Sequence, residues 1–447
     1  MVKTTRVSRE QRCRVWLSAG LCLWAWSTLP RAVSADPTVR SDGTTRYLLA
    51  QPTSYTNVLD AFEGDGLPDL SISLSYKRTL SISDIARERL AGDRSIAGAY
   101  RPVARSEQLT HGLSLELAAG VYRDLMVFVR LPLVLSDKRS LSQSPDAAPS
   151  DPRAEPADAS GTAPEPEDRT PLFGHNESAS TRSGVPGLDL GVAWGITNQY
   201  RTAYLPTWVV QLESRVGLGK VLRPCLAGPE CSEAGVSRGT ITLGIESRWS
   251  YRVGSIEPYF GLRYLLEWAT AASGRFAPRG LPDELDTSLP SLFEATLGAA
   301  LMAWEDRARF QRISVDLRGQ AAYVSAGRDY SPLFDVIGAS KNKQLSSMSR
   351  TVDLVPLYGL TQVDAYAQLR AELSVAAQAA QYVQFRLGLA FMHMTPHLLT
   401  GASACVESCS DSAKNPLYRA VIDLPGQRFI LLGNLSYDLF ATAIGQF

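Results

Sequence analysis

The feature that most constrains the fold is a period-two alternation of apolar and polar residues that recurs along the chain. In "RGTITLGIESRWS", residues 238–250, Ile241, Leu243 and Ile245 alternate with Thr242 and Glu246. Successive side chains of a β-strand point to opposite faces, so the pattern predicts strands with one apolar and one charged face. We predict twelve such strands, at about 70–82, 106–120, 124–136, 187–198, 206–219, 239–253, 257–269, 292–304, 312–325, 361–376, 381–394 and 429–447.

The length of these segments separates a membrane barrel from a soluble sandwich. Most of them run about 12 to 16 residues, whereas strands of soluble proteins average ~5–6 residues. A tilted strand that crosses a bilayer needs ~9–11 residues within the lipid, with extensions beyond it. The segment lengths therefore favour a transmembrane barrel.

The connections between the segments alternate between long and short. Long connections such as "VLRPCLAGPECSEAGVS" are followed by short ones such as "GSIEP". Outer-membrane barrels have an even strand count, short periplasmic turns and long outer loops. The predicted fold class is all-β: a closed antiparallel transmembrane β-barrel of about 12 strands with long extracellular loops and short periplasmic turns.

The two faces of each strand predict which residues meet lipid. In segment 206–219, Trp208 and Leu212 lie on one face, and Glu213 and Arg215 lie on the other. Charges of both signs suit a lumen, where arginines and carboxylates satisfy one another, so the apolar face is assigned to lipid. The residues predicted to line the lumen are Glu213, Arg215, Glu246, Arg248, Arg252, Glu257, Arg263, Glu267, Asp316, Arg318, Asp364, Arg370, Glu372 and Arg386.

The first 35 residues have the organisation of a secretory signal peptide. A basic head precedes the apolar stretch "VWLSAGLCLWAWSTL" and then "AVSA", and that stretch is shorter than the ~20 residues of a spanning helix. The predicted domains are a signal peptide at 1–35, an N-terminal periplasmic or lumenal segment at 36–69, and the barrel at 70–447. Without the first 35 residues, the 45 basic and 45 acidic residues become 39 and 44, a balance that excludes a nucleic-acid partner.

The cysteines beyond the signal peptide form two local pairs. Cys225 and Cys231 lie in "PCLAGPEC", and Cys405 and Cys409 lie in "ACVESC". In an oxidising compartment each pair is expected to close a small disulfide loop. A zinc site is the disfavoured alternative, because the pairs are far apart and lack histidine support.

The C-terminal segment "LLGNLSYDLFATAIGQF" resembles the last strand of Gram-negative outer-membrane β-barrel proteins, without indicating a subfamily. In that family the last strand ends in an aromatic residue and is the signal read by the barrel-assembly machinery; Tyr437, Leu439 and Phe447 match this arrangement. The resemblance implies an outer-membrane location and contact with the lipid bilayer and lipopolysaccharide. Phe440 falls out of the apolar register, which predicts a β-bulge near it.

Residues that could support chemistry are few, and neither a cofactor, a metal nor an enzymatic activity is predicted. His393 with Thr395 faintly resembles the lipid-facing site of outer-membrane phospholipases, but no serine or asparagine completes it. His393 and His397 of "HMTPH" are too few ligands for a metal site, and "EGDGLPD", 63–69, is expected to be a turn rather than a calcium loop.

The long loops differ in composition. The loop at 137–186 is rich in proline, alanine, serine and acidic residues and is predicted to be a disordered spacer. Two other loops carry apolar residues that are expected to pack together or to fold into the barrel mouth: Tyr330, Leu333, Phe334, Ile337, Tyr418, Val421, Ile422 and Leu424.

A twelve-stranded barrel leaves at most a narrow passage, because its strand number lies between that of filled barrels and that of open channels. The predicted function is a narrow channel or facilitator for small solutes. The alternatives are a structural or surface-interaction barrel without transport and, least favoured, a lipid-modifying enzyme.

Overall fold

The computed structural model describes residues 53–59, 69–89, 99–145, 171–174, 176–199, 201–226, 231, 234–270, 276, 288–306, 309–346, 358–380, 382–401 and 417–447. The predicted signal peptide at 1–35, the acidic turn 63–68 and the pair Cys405 and Cys409 lie outside these residues.

Twelve long antiparallel strands form a closed barrel, as the alternation predicted. They are β1 (Leu70–Arg89), β2 (Ala99–Tyr122), β3 (Leu125–Gln143), β4 (Gly187–Thr197), β5 (Thr207–Gly217), β6 (Thr240–Ser250), β7 (Ile256–Ala269), β8 (Leu292–Asp306), β9 (Gln311–Val324), β10 (Tyr366–Ala380), β11 (Val383–Met394) and β12 (Phe429–Gln446). Each strand pairs with its neighbours in sequence. The last strand pairs with the first, from Ser71 opposite Gln446 to Arg87 opposite Phe429, so the barrel has no open edge between them.

The connections sort by length to the two ends of the barrel. Five short turns, 123–124, 198–206, 251–255, 307–310 and 381–382, join the strands at one end, here called the short-turn end. The other six connections, which include all those longer than nine residues, lie at the opposite end, here called the long-loop end. Because the chain reverses direction at every connection between antiparallel strands, connections that alternate in length along the sequence lie at opposite ends of the barrel.

The outward face of the barrel is apolar and the inward face is polar. Leu212, Ile245 and Leu317 are 57%, 50% and 62% exposed, whereas Gln211 and Asp316 on the opposite parity are 7% and 9% exposed. This arrangement is the reverse of a soluble protein and suits a barrel whose outer surface meets hydrocarbon. Near the short-turn end, the outward rings of Trp208, Trp249 and Phe260 stack in a row.

Several predicted boundaries are wrong at the long-loop end. The segment predicted as one strand at 361–376 is divided, because Thr361–Val363 pairs with Gly327–Asp329 and the barrel strand begins at Tyr366. The predicted disordered loop at 137–186 is too wide: β3 continues to Gln143, and Glu177–Ser178 and Arg182–Gly184 pair with it. Residues 146–170 of that loop lie outside the described residues.

The long-loop end is covered by a packed cap. It contains three short helices, α1 (Phe334–Gly338), α2 (Lys343–Ser346) and α3 (Ala420–Asp423). Leu333, Ile337, Val421 and Ile422 are buried in one cluster with Phe429, as expected for apolar residues that fold over the barrel mouth. In the part of the chain that is described, no helix is long and apolar enough to cross a membrane.

The bulge predicted near Phe440 is absent from the described last strand, and the prediction is wrong. Register is continuous from Asn434 to Gly445 against β11, so Tyr437 and Leu439 face outward and Phe440 faces the lumen. The guanidinium of Arg386 lies 5.6 Å from the centre of the Phe440 ring. A glycine opposite Phe440, Gly388, leaves the space that its ring occupies, since a Cβ there would lie 2.3 Å from Phe440 Cζ.

Candidate functional site

The barrel lumen is crossed by a chain of ion pairs that we call the ionic ladder: Asp316, Arg318, Glu372, Arg386, Arg370, Asp438 and Lys77. It runs from β9 to β1. Arg386 Nη2 lies 3.0 Å from Glu372 Oε1, Arg370 Nη1 lies 2.5 Å from Asp438 Oδ2, and Lys77 Nζ lies 3.0 Å from the same oxygen. Arg386 also lies 3.6 Å from Asp316, two strands away, a contact that only side chains inside the barrel can make. The ladder therefore spans about half of the barrel wall.

A second set of polar contacts covers the strands β4 to β7. Arg215 pairs with Asp189 at 2.6 Å, and Arg263 pairs with Glu213. Arg248 Nη2 donates to the side-chain oxygen of Gln211 at 2.9 Å, so its hydrogen-bond partner is a neutral amide. Opposite charges on adjacent strands stabilise the sheet locally.

The structure does not place all predicted lumen residues on the barrel wall. Arg252 lies in the short turn 251–255, where it contacts Glu305 at 3.4 Å, and Asp364 lies exposed at the bend before β10. Glu267 is on the wall, near the long-loop end of β7, and accepts hydrogen bonds from Arg238 and Thr240. The predicted strands were too long at Arg252 and at Asp364, because β6 ends at Ser250 and β10 begins at Tyr366.

A segment that precedes the barrel lies inside it at the short-turn end. In this segment, Thr53–Leu59, Val58 packs with Ala193 and Val209, and Leu59 packs with Ala118 and Phe128. The hydroxyl oxygens of Thr56 and Ser250 are 2.8 Å apart, and Ser54 Oγ accepts a hydrogen bond from Arg386. We call residues 53–59 the lumen plug, because most of them are buried among inward side chains of the barrel strands.

Tyr55 is the residue of the plug with the most polar contacts. Its ring lies 4.7 Å from that of Tyr259, and its hydroxyl donates to Glu246 Oε1 at 3.2 Å. The guanidiniums of Arg318 and Arg248 lie 5.0 and 5.8 Å from its ring centre. Burial, with the nearby Glu246 carboxylate, raises the pKa of Tyr55 above its ordinary value, so the hydroxyl stays a neutral donor.

Sequence reasoning missed the role of Tyr55, although glycines in two strands mark the places where the rings of Tyr55 and Tyr259 approach the backbone. A Cβ on Gly261 would lie 1.8 Å from the Tyr55 hydroxyl, and a Cβ on Gly298 would lie 2.3 Å from the Tyr259 ring. A glycine inside a strand often marks a close approach of another group. The sequence could have indicated crowding at these positions, but not which residue causes it.

A buried ion pair joins the loops of the cap. Arg182, on the short strand beside β3, pairs with Asp335 of α1, and the backbone N–H of Cys225 donates to the same carboxylate at 3.1 Å. Cys225 and Cys231 form a disulfide, as predicted from their spacing. The disulfide therefore fixes a loop that contributes a donor to the buried pair.

Two cavities lie within the lumen on the side of β1. One, of about 390 Å³, is bordered by Ser75, Lys77 and Arg370 at mid-barrel. The other, of about 220 Å³, lies under the cap and is bordered by Ser81, Ser83 and Asn434. Lys77, Arg370 and Asp438 of the ionic ladder lie between these two cavities. The interior thus holds space beside the ionic ladder and under the cap, with the plug at the opposite, short-turn end.

The histidines of "HMTPH" do not form a shared site. His393 is on the outward parity of β11 and lies 3.2 Å from the carbonyl oxygen of Asn434, whereas His397 borders the cavity under the cap. Thr395 Oγ1 accepts a hydrogen bond from the Ala367 N–H. Among the described residues, no group of three or more His, Cys, Asp or Glu side chains could hold a metal ion.

A closed antiparallel barrel of twelve strands with an apolar exterior and a charged interior defines this chain as a β-barrel protein of the outer-membrane type. No family model and no curated protein matches the sequence.

Comparison with solved structures gives matches to outer-membrane barrels at low similarity. They include an outer-membrane channel from Pseudomonas putida F1 (9% identity, TM-score 0.37, 89% of this chain and 99% of that chain). A FadL homologue from Pseudomonas aeruginosa matches with 10% identity and a TM-score of 0.33, over 93% and 98% of the two chains. The outer-membrane protease OmpT from Escherichia coli matches with 8% identity and a TM-score of 0.29, over 85% and 97%. At such low similarity, these likenesses carry no information about the function of this chain.

Proposed function

We propose that this protein is a gated outer-membrane facilitator that admits small polar solutes through a lumen closed at rest by its own plug and cap. In this proposal the short-turn end, with the plug and Phe447, faces the periplasm, and the long loops face outside. The N-terminal signal segment would deliver the chain, and Tyr437, Leu439 and Phe447 would be read by the barrel-assembly machinery. Lipid and lipopolysaccharide would surround the apolar wall.

The main observation behind the proposal is that the plug comes from a segment outside the barrel wall. The barrel wall does not close its own short-turn end; residues 53–59, which precede β1, lie in it. They are held there by a hydrogen bond from Tyr55 to Glu246, by a hydrogen bond between the hydroxyls of Thr56 and Ser250, and by the apolar contacts of Val58 and Leu59. A segment that pairs with no strand of the wall can leave without breaking any strand pairing, and its departure would open the lumen toward these cavities.

The ionic ladder supports solute selection once the plug has moved. It carries charges of both signs at one level of the lumen, so the electrostatic potential there favours neither cations nor anions strongly. Ion pairs also keep the cross-section small, which favours small polar solutes over large ones.

A planar-bilayer recording of the full mature chain tests the proposal. The substitution Tyr55→Ala removes the stacking on Tyr259 and the hydrogen bond to Glu246, so we expect more frequent or larger openings than in the wild type. The matched control is Tyr204→Ala, because Tyr204 lies in a short turn at the same end but is 81% exposed. Folded Tyr55→Ala protein that never conducts would overturn the proposal.

A structural barrel without transport is the second candidate. It is favoured by the dense pairing of interior charges, since a network that includes Arg215–Asp189, Arg263–Glu213 and Arg370–Asp438 rigidifies the wall. This candidate predicts no conductance from the wild type or from Tyr55→Ala protein, and so the same recording separates the two functions.

A further inference from the structure

The cavity under the cap has the size and boundary of a binding site. Its volume is about 220 Å³, and it lies between inward residues of β1, β2 and β12 and the cap segment 329–332. A water molecule takes ~30 Å³ of liquid volume, so the space holds about seven waters or one solute of monosaccharide size. It lies above the ionic ladder, on the side of the long loops.

The charged groups that border this cavity are already neutralised by neighbours. Asp329 accepts a hydrogen bond from Arg238 Nη2 at 2.7 Å, and Arg139 Nη2 lies 2.9 Å from Asp137 Oδ2. Asp137 also accepts from Gln108. An ionic ligand would have to compete with these pairs, whereas a neutral ligand would leave them in place.

The remaining polar border consists mainly of hydroxyl and amide groups. Asn434 Nδ2 donates to Ser81 Oγ at 3.0 Å and to Ser83 Oγ at 2.7 Å, and Ser106 and Ser331 also border the space. A serine hydroxyl that accepts from an amide still has its own proton to donate. Such a surface both donates and accepts hydrogen bonds, and a ligand rich in hydroxyl groups does the same.

An aromatic pair and apolar side chains complete the border. The rings of Tyr366 and His397 are stacked, with centroids 4.1 Å apart. His397 Nδ1 lies 2.8 Å from the carbonyl oxygen of Thr395 and therefore donates to it, which leaves Nε2 as an acceptor in the neutral ring. Leu399 and Leu431 offer surface to the C–H groups of a solute.

We infer that this cavity binds a neutral polyhydroxylated solute of monosaccharide size. The inference rests on the proposed function and names the class of solute that the facilitator would select. An inorganic ion would find the charged groups at this border already paired. A hydrocarbon would displace solvent without forming hydrogen bonds to the serine hydroxyls that border the space, whereas a polyhydroxylated solute would form them.

The test is a binding titration of the full mature protein in detergent, followed by calorimetry and by saturation-transfer NMR. The probes are neutral hexoses, pentoses and alditols, with gluconate as an anionic probe and 1-hexanol as an apolar one. We expect saturable binding of at least one neutral probe and none of gluconate or hexanol. Binding of gluconate or hexanol alone, or of no neutral probe, would overturn the inference.

Substitutions locate the site. Ser83→Ala and Ser331→Ala remove a hydroxyl without adding bulk, and each is expected to weaken binding about fivefold to tenfold, the equivalent of one hydrogen bond of ~1 kcal/mol. Ser331 is in the cap, so its variant does not depend on strand pairing. The matched control, Ser73→Ala, lies on the same face of β1 outside the cavity border. Wild-type affinity in both Ser83 and Ser331 variants would place binding elsewhere and reject this site.

The two proposals fail in different ways. Saturable binding of a neutral probe that is weakened in Ser83→Ala protein but not in Ser73→Ala protein supports the site even if no variant conducts, in which case only the transport function is rejected. Conductance of Tyr55→Ala protein without binding of any neutral probe retains the facilitator and rejects this site.

Discussion

Tyr55 and Tyr259 are stacked with their ring centres 4.7 Å apart, although one precedes the barrel and the other begins its seventh strand. Tyr259 also connects to the ionic ladder, because its hydroxyl contacts Asp316 and accepts from Arg318 Nε at 3.0 Å. The plug is therefore joined to the same network of charges that crosses the lumen. Movement of the plug would remove a neighbour from Arg318 and Glu246, so in the proposed function the state of the gate would be coupled to the electrostatics of the lumen.

A covalent tether on the plug tests this coupling. The hydroxyl oxygens of Thr56 and Ser250 are 2.8 Å apart, so we expect Thr56→Cys with Ser250→Cys to form a disulfide between plug and wall. The oxidised double variant should conduct less than the wild type in planar bilayers, and a reductant should restore conductance. Because Cys225–Cys231 is also reducible, wild-type protein with reductant and Thr56→Cys alone are the controls. Wild-type conductance in protein shown by mass spectrometry to be cross-linked would contradict the gate.

The contact between Gly388 and Phe440 gives a prediction for stability. A Cβ at position 388 would lie 2.3 Å from Phe440 Cζ and 2.7 Å from Ser374 Cβ. We expect Gly388→Ala to lower the free energy of unfolding by about 1–3 kcal/mol, the range for overpacking, in urea titrations of the folded barrel. Gly433→Ala is the control, since nothing lies within 4 Å of a Cβ there. Adding Phe440→Leu should recover part of the loss; equal stability of the two alanine variants would show that the ring moves without cost.

The barrel itself was predictable because its signals are local and repeated. Alternation, segment length and the parity of the loops each depend on neighbours in sequence, and together they indicated twelve strands and the outward face of residues such as Leu212 and Ile245. The same reasoning made two predicted strands too long, so that β6 included Arg252 and β10 included Asp364. Turn residues can continue an alternating pattern by chance.

The contents of the lumen were not predictable from the same signals. Residues 53–59 contact β6 and β11 across long stretches of sequence, and no periodicity specifies such contacts. Phe440 was assigned to a bulge because apolar residues were expected to face lipid only. The structure shows that an inward aromatic ring is accommodated by a glycine on the next strand and by a guanidinium beside it.

The pH dependence of the cap is predicted from Asp423. Burial raises the pKa of this carboxyl from 3.8 to about 7, against the opposing effects of the Arg419 N–H and the Arg419 and Arg328 guanidiniums. The folded cap thus binds the proton more tightly than the unfolded loop, so its stability falls as the pH rises from about 4 to 7. Hydrogen exchange at 419–424, corrected for intrinsic rates, should show greater protection at pH 5 than at pH 7.5. Asp423→Asn should remove this difference, and an unchanged difference in that variant would assign it to another group.

The disulfide of the cap should contribute modestly to stability. Cys225 and Cys231 are six residues apart, so the stabilisation is expected to stay below the ~3 kcal/mol of a 15-residue loop. Replacing both with serine should lower the stability of the cap by less than that amount, measured by limited proteolysis of the loops. A larger effect would show that the donor from Cys225 to Asp335 depends on the disulfide. The pair Cys405 and Cys409 remains a prediction, and mass spectrometry of freshly extracted protein should find it oxidised.

The assignment of the two faces is tested by a pair of substitutions on β6. Ile245 is 50% exposed on the outward face, so Ile245→Arg should cost about 2–4 kcal/mol if the residue lies near the bilayer midplane. Arg248 points inward to Gln211 and the Tyr55 ring, and Arg248→Ala should leave assembly intact because no carboxylate depends on that hydrogen bond. Loss of one positive charge from the lumen should make any conductance more cation-selective. Assembly is measured by heat-modifiable mobility on gels and selectivity by reversal potentials in a salt gradient. Normal assembly of Ile245→Arg together with failure of Arg248→Ala would reverse the faces and reject the membrane barrel.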